Sequence, residues 1–328
     1  MAVQMHMETA EGLKIPSLGF GTWQCTDEDE LEAALNAALE TGYRHVDTAY
    51  FFGNEHVVGR VINEWIESER LAREDVFLST KLPIFGFHED LVEEYMLKSL
   101  ENLGVERVDL YFAHFPLHMN YDEGLDDPTF METDHMAVWK KMEEQVEQGR
   151  ATAIGLSNFN MTQTERIVEE AAIKPACLQV ENHIYLQQRD LVQFCHDNGI
   201  VVIGFSPLGS PDVNSFYESI GRPTRDLPDL FQDPTVLSLA EKYGKTAAQI
   251  LLRFQLQRDV AVVVKSKTPS RIEENFEVFD FCIGDEDMEE LRALDVGEAA
   301  RIVDFSVLSQ KLLEQPEWPW HTFTKVSE

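Results

Sequence analysis

The chain has 328 residues, 44% of them hydrophobic, and a formal net charge of −32 from 59 acidic and 27 basic side chains. That length suits a single α/β barrel, and a charge of this sign repels both nucleic acid and anionic membrane. No segment reaches the run of about 18 apolar residues that a membrane span needs, and "MAVQMHMETAEG" has no secretory-signal pattern, so a cytosolic protein is expected.

In chain order, short apolar runs alternate with amphipathic stretches. "IPSLGFGTW" (15–23) reads as the first strand and "DEDELEAALNAALETG" (27–42) as the first helix. Strand "RHVDTA" (44–49), helix "NEHVVGRVINEWIES" (54–68), strand "DVFLSTKL" (75–82) and helix "HEDLVEEYMLKSLENLG" (88–104) follow. Strand "VDLYFAH" (108–114) leads through residues 115–133, longer than an ordinary loop, to helix "DHMAVWKKMEEQVEQG" (134–149). Then come strand "ATAIGLS" (151–157), helix "MTQTERIVEEAA" (161–172), strand "CLQVEN" (177–182) and helix "QRDLVQFCHDNG" (188–199). Strand "IVVIGFSPL" (200–208) opens a second long loop, 209–232, rich in Pro, Gly and Ser. Helix "TAAQILLRFQLQ" (246–257), strand "VAVVVKS" (260–266) and helix "TPSRIEENFEVF" (268–279) close the pattern before an irregular tail ending "EQPEWPWHTFTKVSE". Several helices begin at Asp, Asn or Thr and stop at Gly, as capping requires.

Strands that are apolar throughout are covered on both faces, which means a parallel sheet with helical crossovers. Eight strands alternating with eight helices predict a (β/α)₈ barrel as one domain over 1–328. A doubly wound sheet is the rival, but "GFGTW" lacks the Gly-rich fingerprint and the helix that should follow it. The two long loops and the tail are expected around a substrate pocket. Cys25, Cys177, Cys195 and Cys282 stand far apart without a CxxC pair, and are read as buried reduced thiols, with no metal site expected.

Reacting groups of such a barrel sit at the C-terminal strand ends. Those ends hold Asp47, Lys81, His114, Ser157 with Asn158, Gln179 with Asn182, Phe205 with Ser206, and Lys265 with Ser266. Each has a plainer reading: an Asp47–Lys81 structural ion pair, a core histidine, helix caps. Their equivalent places in successive repeats argue for one lined mouth. "KSKTPSR" (265–271) follows the last strand and enters a helix, with Thr268 and Pro269 suited to its cap and first turn. A helix N-terminus beside Lys265, Lys267 and Arg271 suits a ligand with several negative charges, and NADP, with its extra 2′-phosphate, fits best.

"GYRHVDTAYFFGNEHVVG" (42–59), "STKL" (79–82), "YFAHFP" (111–116), "AIGLSNF" (153–159), "LQVENH" (178–183), "FSPLGSPD" (205–212) and "VVKSKTPSRIEENF" (263–276) resemble the aldo-keto reductase superfamily in order and spacing. The resemblance implies an NADPH-dependent carbonyl reductase, commonly a monomer or dimer. Asp47, Lys81 and His114 match three members of the family's catalytic tetrad. Ser157, Asn158 and Gln179 match groups bonded to the nicotinamide carboxamide, and Phe205 takes the place of the aromatic stacked on the ring. Ser206, Leu208, Ser210 and Asp212 match the loop over the pyrophosphate. Lys265, Ser266, Lys267, Arg271, Glu274 and Asn275 fall in the adenosine and 2′-phosphate pocket. Gly21, Thr22 and Trp23 match the first strand's contribution.

One position departs. The tetrad tyrosine of D-x-A-x-x-Y falls on Phe52, whose phenyl ring has no proton to give to a carbonyl oxygen. Three explanations stand: His114, titratable near neutrality, is the acid or holds a water that is; Tyr50 substitutes; or Phe52 marks an exchange, natural or engineered, in a chain that binds cofactor and turns over little. The first reading is a cytosolic reductase of bulky hydrophobic carbonyls, steroid-like or lipid-derived, acting as a monomer or weak dimer. Its expected pocket walls are Trp23, Tyr50, Phe51, Pro83, Phe115, Trp318 and Trp320, beside His114. The second is an NADP(H)-binding sensor or structural protein.

Overall fold

The computed structural model describes residues 5–122, 124 and 126–320. Two short strands, β1 (His6–Glu8) and β2 (Lys14–Pro16), form an antiparallel hairpin. Eight more follow: β3 (Leu18–Gly21), β4 (His45–Asp47), β5 (Phe77–Leu82), β6 (Val108–Ala113), β7 (Ala151–Ser157), β8 (Cys177–Glu181), β9 (Val201–Phe205) and β10 (Val260–Val264). They close into a parallel barrel in sequence order, β10 pairing with β3. The predicted (β/α)₈ fold is therefore the observed one.

Side-chain alternation along each strand builds two cores. On β5, Leu78 and Leu82 face the surrounding helices, whereas Phe77 lies in the barrel's inner cluster. Leu110 and Phe112 of β6, Ile203 of β9 and Val263 of β10 fill the same interior, and Ile15 from the hairpin joins them. The next inward positions toward the C-terminal end are polar: Asp47, Lys81, Ser157 and Gln179. Apart from His45 beside Phe77, a barrel packed with hydrocarbon at one end thus presents its polar inward residues toward the other.

The structure alters several expectations. Residues 15–23 are not one strand: Ile15 pairs in the hairpin, Ser17 N–H donates to Met5, and the barrel strand starts at Leu18. The 209–232 loop contains a helix, Val213–Ser219, and the helices Pro234–Tyr243 and Asp285–Arg292 are additional to the eight expected. The first of these two has Asp233 accepting from Thr235 and Val236 N–H, with Pro234 at its first position, a legible start that the sequence reading passed over. Cys282 is exposed, against expectation, because it falls in the surface link after helix Pro269–Phe276; its Sγ accepts from Arg253 at 2.8 Å. Cys25, Cys177 and Cys195 are buried. Among the described residues, no helix is long and apolar enough to cross a membrane.

Two carboxylates help to anchor the C-terminal segment. Glu181, fully buried at the end of β8, accepts from the Ile302 and Val303 backbone N–H groups at 2.6 and 2.9 Å and from His183 at 2.9 Å. Further on, Glu317 accepts from Arg166 at 2.6 Å and from Gln163 at 3.0 Å. Burial pushes the Glu317 carboxyl up, but the Arg166 and Gln163 bonds prevail and bring it down to about 2. A depressed carboxyl stabilises docking above its unfolded value and loses that contribution as pH falls through the folded one. Tail docking is therefore expected to weaken from about pH 4.5 toward about 2. The red shift of tryptophan emission over that range should be larger in the wild type than in Glu317→Gln, where the acid-sensitive anchor is already gone. Residues 321–328 of the expected tail lie outside the described residues.

Candidate active site at the mouth of the barrel

A cleft of about 870 Å³ opens at the C-terminal ends of the strands. Every residue proposed from the sequence for cofactor contact lines it: Gly21, Thr22, Trp23, Asp47, Ser157, Asn158, Gln179, Phe205, Ser206, Leu208, Ser210, Asp212, Lys265, Ser266, Lys267, Arg271, Glu274 and Asn275. Phe51, Phe52 and His114 line it too. Lys81 lies beneath, 1% exposed, under the ring of Phe52, whose centroid is 5.1 Å from Nζ.

Asp47 is the hub. Its Oδ2 accepts from Lys81 Nζ at 2.6 Å, and its Oδ1 accepts from Ser79 Oγ at 2.7 Å and Gln179 Nε2 at 3.0 Å. Lys81 also donates to the Thr48 carbonyl at 2.8 Å. Burial pushes the Asp47 carboxyl up, but the Lys81 ammonium outweighs it and holds the group below the usual carboxylate range. Breaking such a buried pair at one partner typically costs about 3–5 kcal/mol.

His114 packs edge-on to Phe51 and Phe52, with centroids 6.2 and 5.7 Å away. Burial, reinforced by the Lys81 ammonium, brings its imidazole down to about 3. A ring held that low is neutral near pH 7, which argues against an imidazolium acid at this position. A neutral ring still has one N–H to donate.

Around the mouth, Asn158, Ser206 and Ser210 adopt left-handed φ values of 65°, 53° and 40°. Such non-glycine backbone is unfavourable and clusters at ligand sites. Asn158 Nδ2 donates to the His114 carbonyl, while its buried Oδ1 has no partner within the described residues. An amide donor from a bound molecule would satisfy it. At the other end, Lys265 pairs with Asp212 at 3.4 Å and Lys267 with Glu30 at 2.7 Å. Arg271 has no carboxylate partner among the described residues. Thr268 caps helix Pro269–Phe276 without a side-chain bond to its first turn; Pro269 has no N–H and Arg271 N–H donates to the Thr268 carbonyl, so Ser270 N–H is the first-turn donor left for an anion among the described residues.

Five expected pocket walls lie elsewhere. Tyr50 opens a 3₁₀ turn, Tyr50–Phe52, and packs on Tyr95 and Phe85, 5.1 and 6.1 Å away. With three residues per turn it diverges from Phe52, so it cannot replace the missing phenol. Pro83 is buried beyond β5. Phe115, Trp318 and Trp320 pack on one another at 5.1, 5.5 and 5.6 Å because the tail buries its indoles instead of presenting them. The exposed face of this stack is Phe305, which the sequence reading missed; it lines the cleft and stands 5.0 Å from Phe115. Val303, Phe231 and Leu237 also line the cleft and were not anticipated.

The sequence matches the Aldo/keto reductase family over residues 17–296. The chain belongs to this family. Among curated relatives, "Aldo-keto reductase family 1 member A1" of Xenopus tropicalis is 43% identical over 303 residues, 90% of each chain. The Homo sapiens protein of the same description is 40% identical over 296 residues, 87% of each. The solved structure described as the aldose reductase from Schistosoma japonicum superposes with a TM-score of 0.85 at 35% identity, covering 98% of this chain and all of that one. This aldo/keto reductase thus has the family's barrel, and Phe52 lines its cleft.

Proposed function

We propose that the chain is an NADPH-dependent reductase of bulky apolar aldehydes or ketones. The observation that carries this reading is the cleft itself: one end is cationic and suited to phosphate, the other apolar around the Asp47–Lys81–His114 group. The residues fit the coenzyme, since among the described residues Asn158 Oδ1 lacks a donor and Arg271 lacks a counter-ion, and Phe205 offers a ring face. When bound, NADPH would supply the hydride for the carbonyl carbon.

Ser157, Asn158 and Gln179 would hold the carboxamide, with Phe205 stacked on the ring. Gln179 already uses one N–H on Asp47, leaving its Oε1 and second N–H for the ligand. The loop bearing Ser206, Leu208, Ser210 and Asp212 would cover the pyrophosphate. Lys265, Ser266, Lys267 and Arg271, with Glu274 and Asn275, would take the adenosine end. The neutral His114 N–H orients the carbonyl oxygen, and the Lys81 ammonium stabilises the charge that develops there. Phe52 supplies no proton, so the proton comes from water held at His114. The substrate wall is Trp23, Phe51 and Phe305.

Phe305→Ala is expected to raise KM for a bulky apolar aldehyde by about 10-fold and leave NADPH affinity unchanged. An equal loss on NADPH would put Phe305 at the coenzyme. Better turnover on small polar aldoses would overturn the apolar preference.

The second reading is a coenzyme-binding sensor or structural protein, favoured by Phe52 and by the neutral His114. Tryptophan quenching by NADPH is expected under both readings; NADPH oxidation with apolar aldehydes is expected only under the first. No coenzyme uptake at low ionic strength would overturn both. We place the protein in the cytosol as a monomer or weak dimer, which light scattering at two concentrations checks.

A further inference from the structure

We propose that Ser79 is a positioning residue: its hydroxyl, backed by His45, orients the Asp47 carboxylate and thereby sets how much positive charge Lys81 presents at the carbonyl. The proposal rests on the reductase reading above and concerns two residues to which that reading gives no role.

The strands place these groups together. Asp47 of β4 and Ser79 of β5 are register partners, and both side chains face the barrel interior. His45, two residues before Asp47 on β4, faces the same way. Its Nε2 lies 3.3 Å from Ser79 Oγ, and Ser79 Oγ lies 2.7 Å from Asp47 Oδ1. Room for the imidazole depends on Gly19, where a Cβ would stand 2.8 Å from His45 Nδ1. The Phe77 ring closes the other side at 5.0 Å. All three polar groups are buried, His45 and Ser79 at 0% exposure.

Hydrogen-bond polarity follows from chemistry. An ionised Asp47 only accepts, so Ser79 spends its proton there, and the 3.3 Å contact is a hydrogen bond to Ser79 in the tautomer that carries the His45 proton on Nε2. Burial holds His45 below its ordinary range, consistent with a neutral ring that donates from one nitrogen. Ser79 therefore draws negative charge from Oδ1 while Lys81 binds Oδ2. Without Ser79, the carboxylate would lean harder on Lys81 and neutralise more of its charge. The other charged or titratable groups facing this pair are His114 and Glu55, with Asp109 beyond His45.

The test uses Ser79→Ala and Ser79→Thr, each alone and combined with Phe52→Tyr. NADPH affinity is read by tryptophan quenching, and turnover by NADPH oxidation with 4-nitrobenzaldehyde. Ser79→Ala is expected to lower kcat by about 10-fold, with KM and NADPH affinity within about twofold of the parent. With Tyr at 52, a weaker Lys81 field raises the phenol's pKa, so the alkaline limb of the kcat–pH profile moves to higher pH in Ser79→Ala. Ser79→Thr, which keeps the hydroxyl, should restore both. If Ser79→Ala does not fold, Ser79→Cys, similar in size and a weak donor, is expected to show the same changes in reduced form. Unchanged kcat and an unmoved limb in a folded variant, or a Thr variant no better than Ala, would overturn the proposal alone. Absence of NADPH uptake by the unaltered chain would overturn the reductase reading and this proposal with it.

Discussion

Replacing Phe52 with tyrosine is expected to raise kcat for apolar aldehydes by about 10²-fold or more, measured as single-turnover NADPH oxidation. The ring already lies where a phenol would act. Its centroid is 5.1 Å from Lys81 Nζ and 5.7 Å from the His114 ring. A para hydroxyl would meet an ammonium that lowers its pKa toward working pH. General acid catalysis contributes roughly 10²–10⁴-fold, equivalent to about 3–5 kcal/mol of barrier. Because His114 protonates only near about 3, wild-type turnover should show no histidine limb between the acid and alkaline arms of neutrality. If Phe52→Tyr gains nothing, the proton already arrives by another route, and the phenyl ring is no deficit.

The second large effect concerns Arg271. Arg271→Ala is expected to weaken NADPH by about 10–10²-fold while changing NADH by about twofold or less. Lys265 and Lys267 already face Asp212 at 3.4 Å and Glu30 at 2.7 Å, so each must exchange a carboxylate for a phosphate. Arg271 carries no such prior partner among the described residues, and its planar fork suits a phosphate in two contacts. Its loss should therefore fall almost entirely on the coenzyme that carries the 2′-phosphate. Fluorescence titration with both nucleotides decides the matter, and equal weakening would refute the assignment.

Much of the cleft was legible because a barrel converts a one-dimensional rule into a place. Inward residues near the C-terminal strand ends collect around the mouth, so Asp47, Ser157 and Gln179 could be found by noting where apolar runs end. Helix starts were readable at Asp27 and Thr246, whose side chains accept from the N–H groups of Glu30 and Gln249. The rest depended on contacts between distant segments. Phe305 reaches the cleft because Glu181, 121 residues before Ile302, together with Tyr217 and Arg225, holds the segment just ahead of it. Nothing local to "RIVDFSV" announces that. Trp318 and Trp320 looked like pocket walls by composition, yet their packing on Phe115 makes them supports. The neutrality of His114 arises from burial beside an ammonium, and "YFAHFP" carries no sign of it.

Residues 301 to 304 are gripped from two sides, by Glu181 at the end of β8 and by Tyr217 and Arg225 of the loop that follows β9. Phe305 therefore hangs from a strap that shares one footing with the loop assigned to the coenzyme. A change in the strap that alters which carbonyl is accepted is felt by that loop as well. In such a chain, preference among substrates and hold on the reductant are tied together and drift as one.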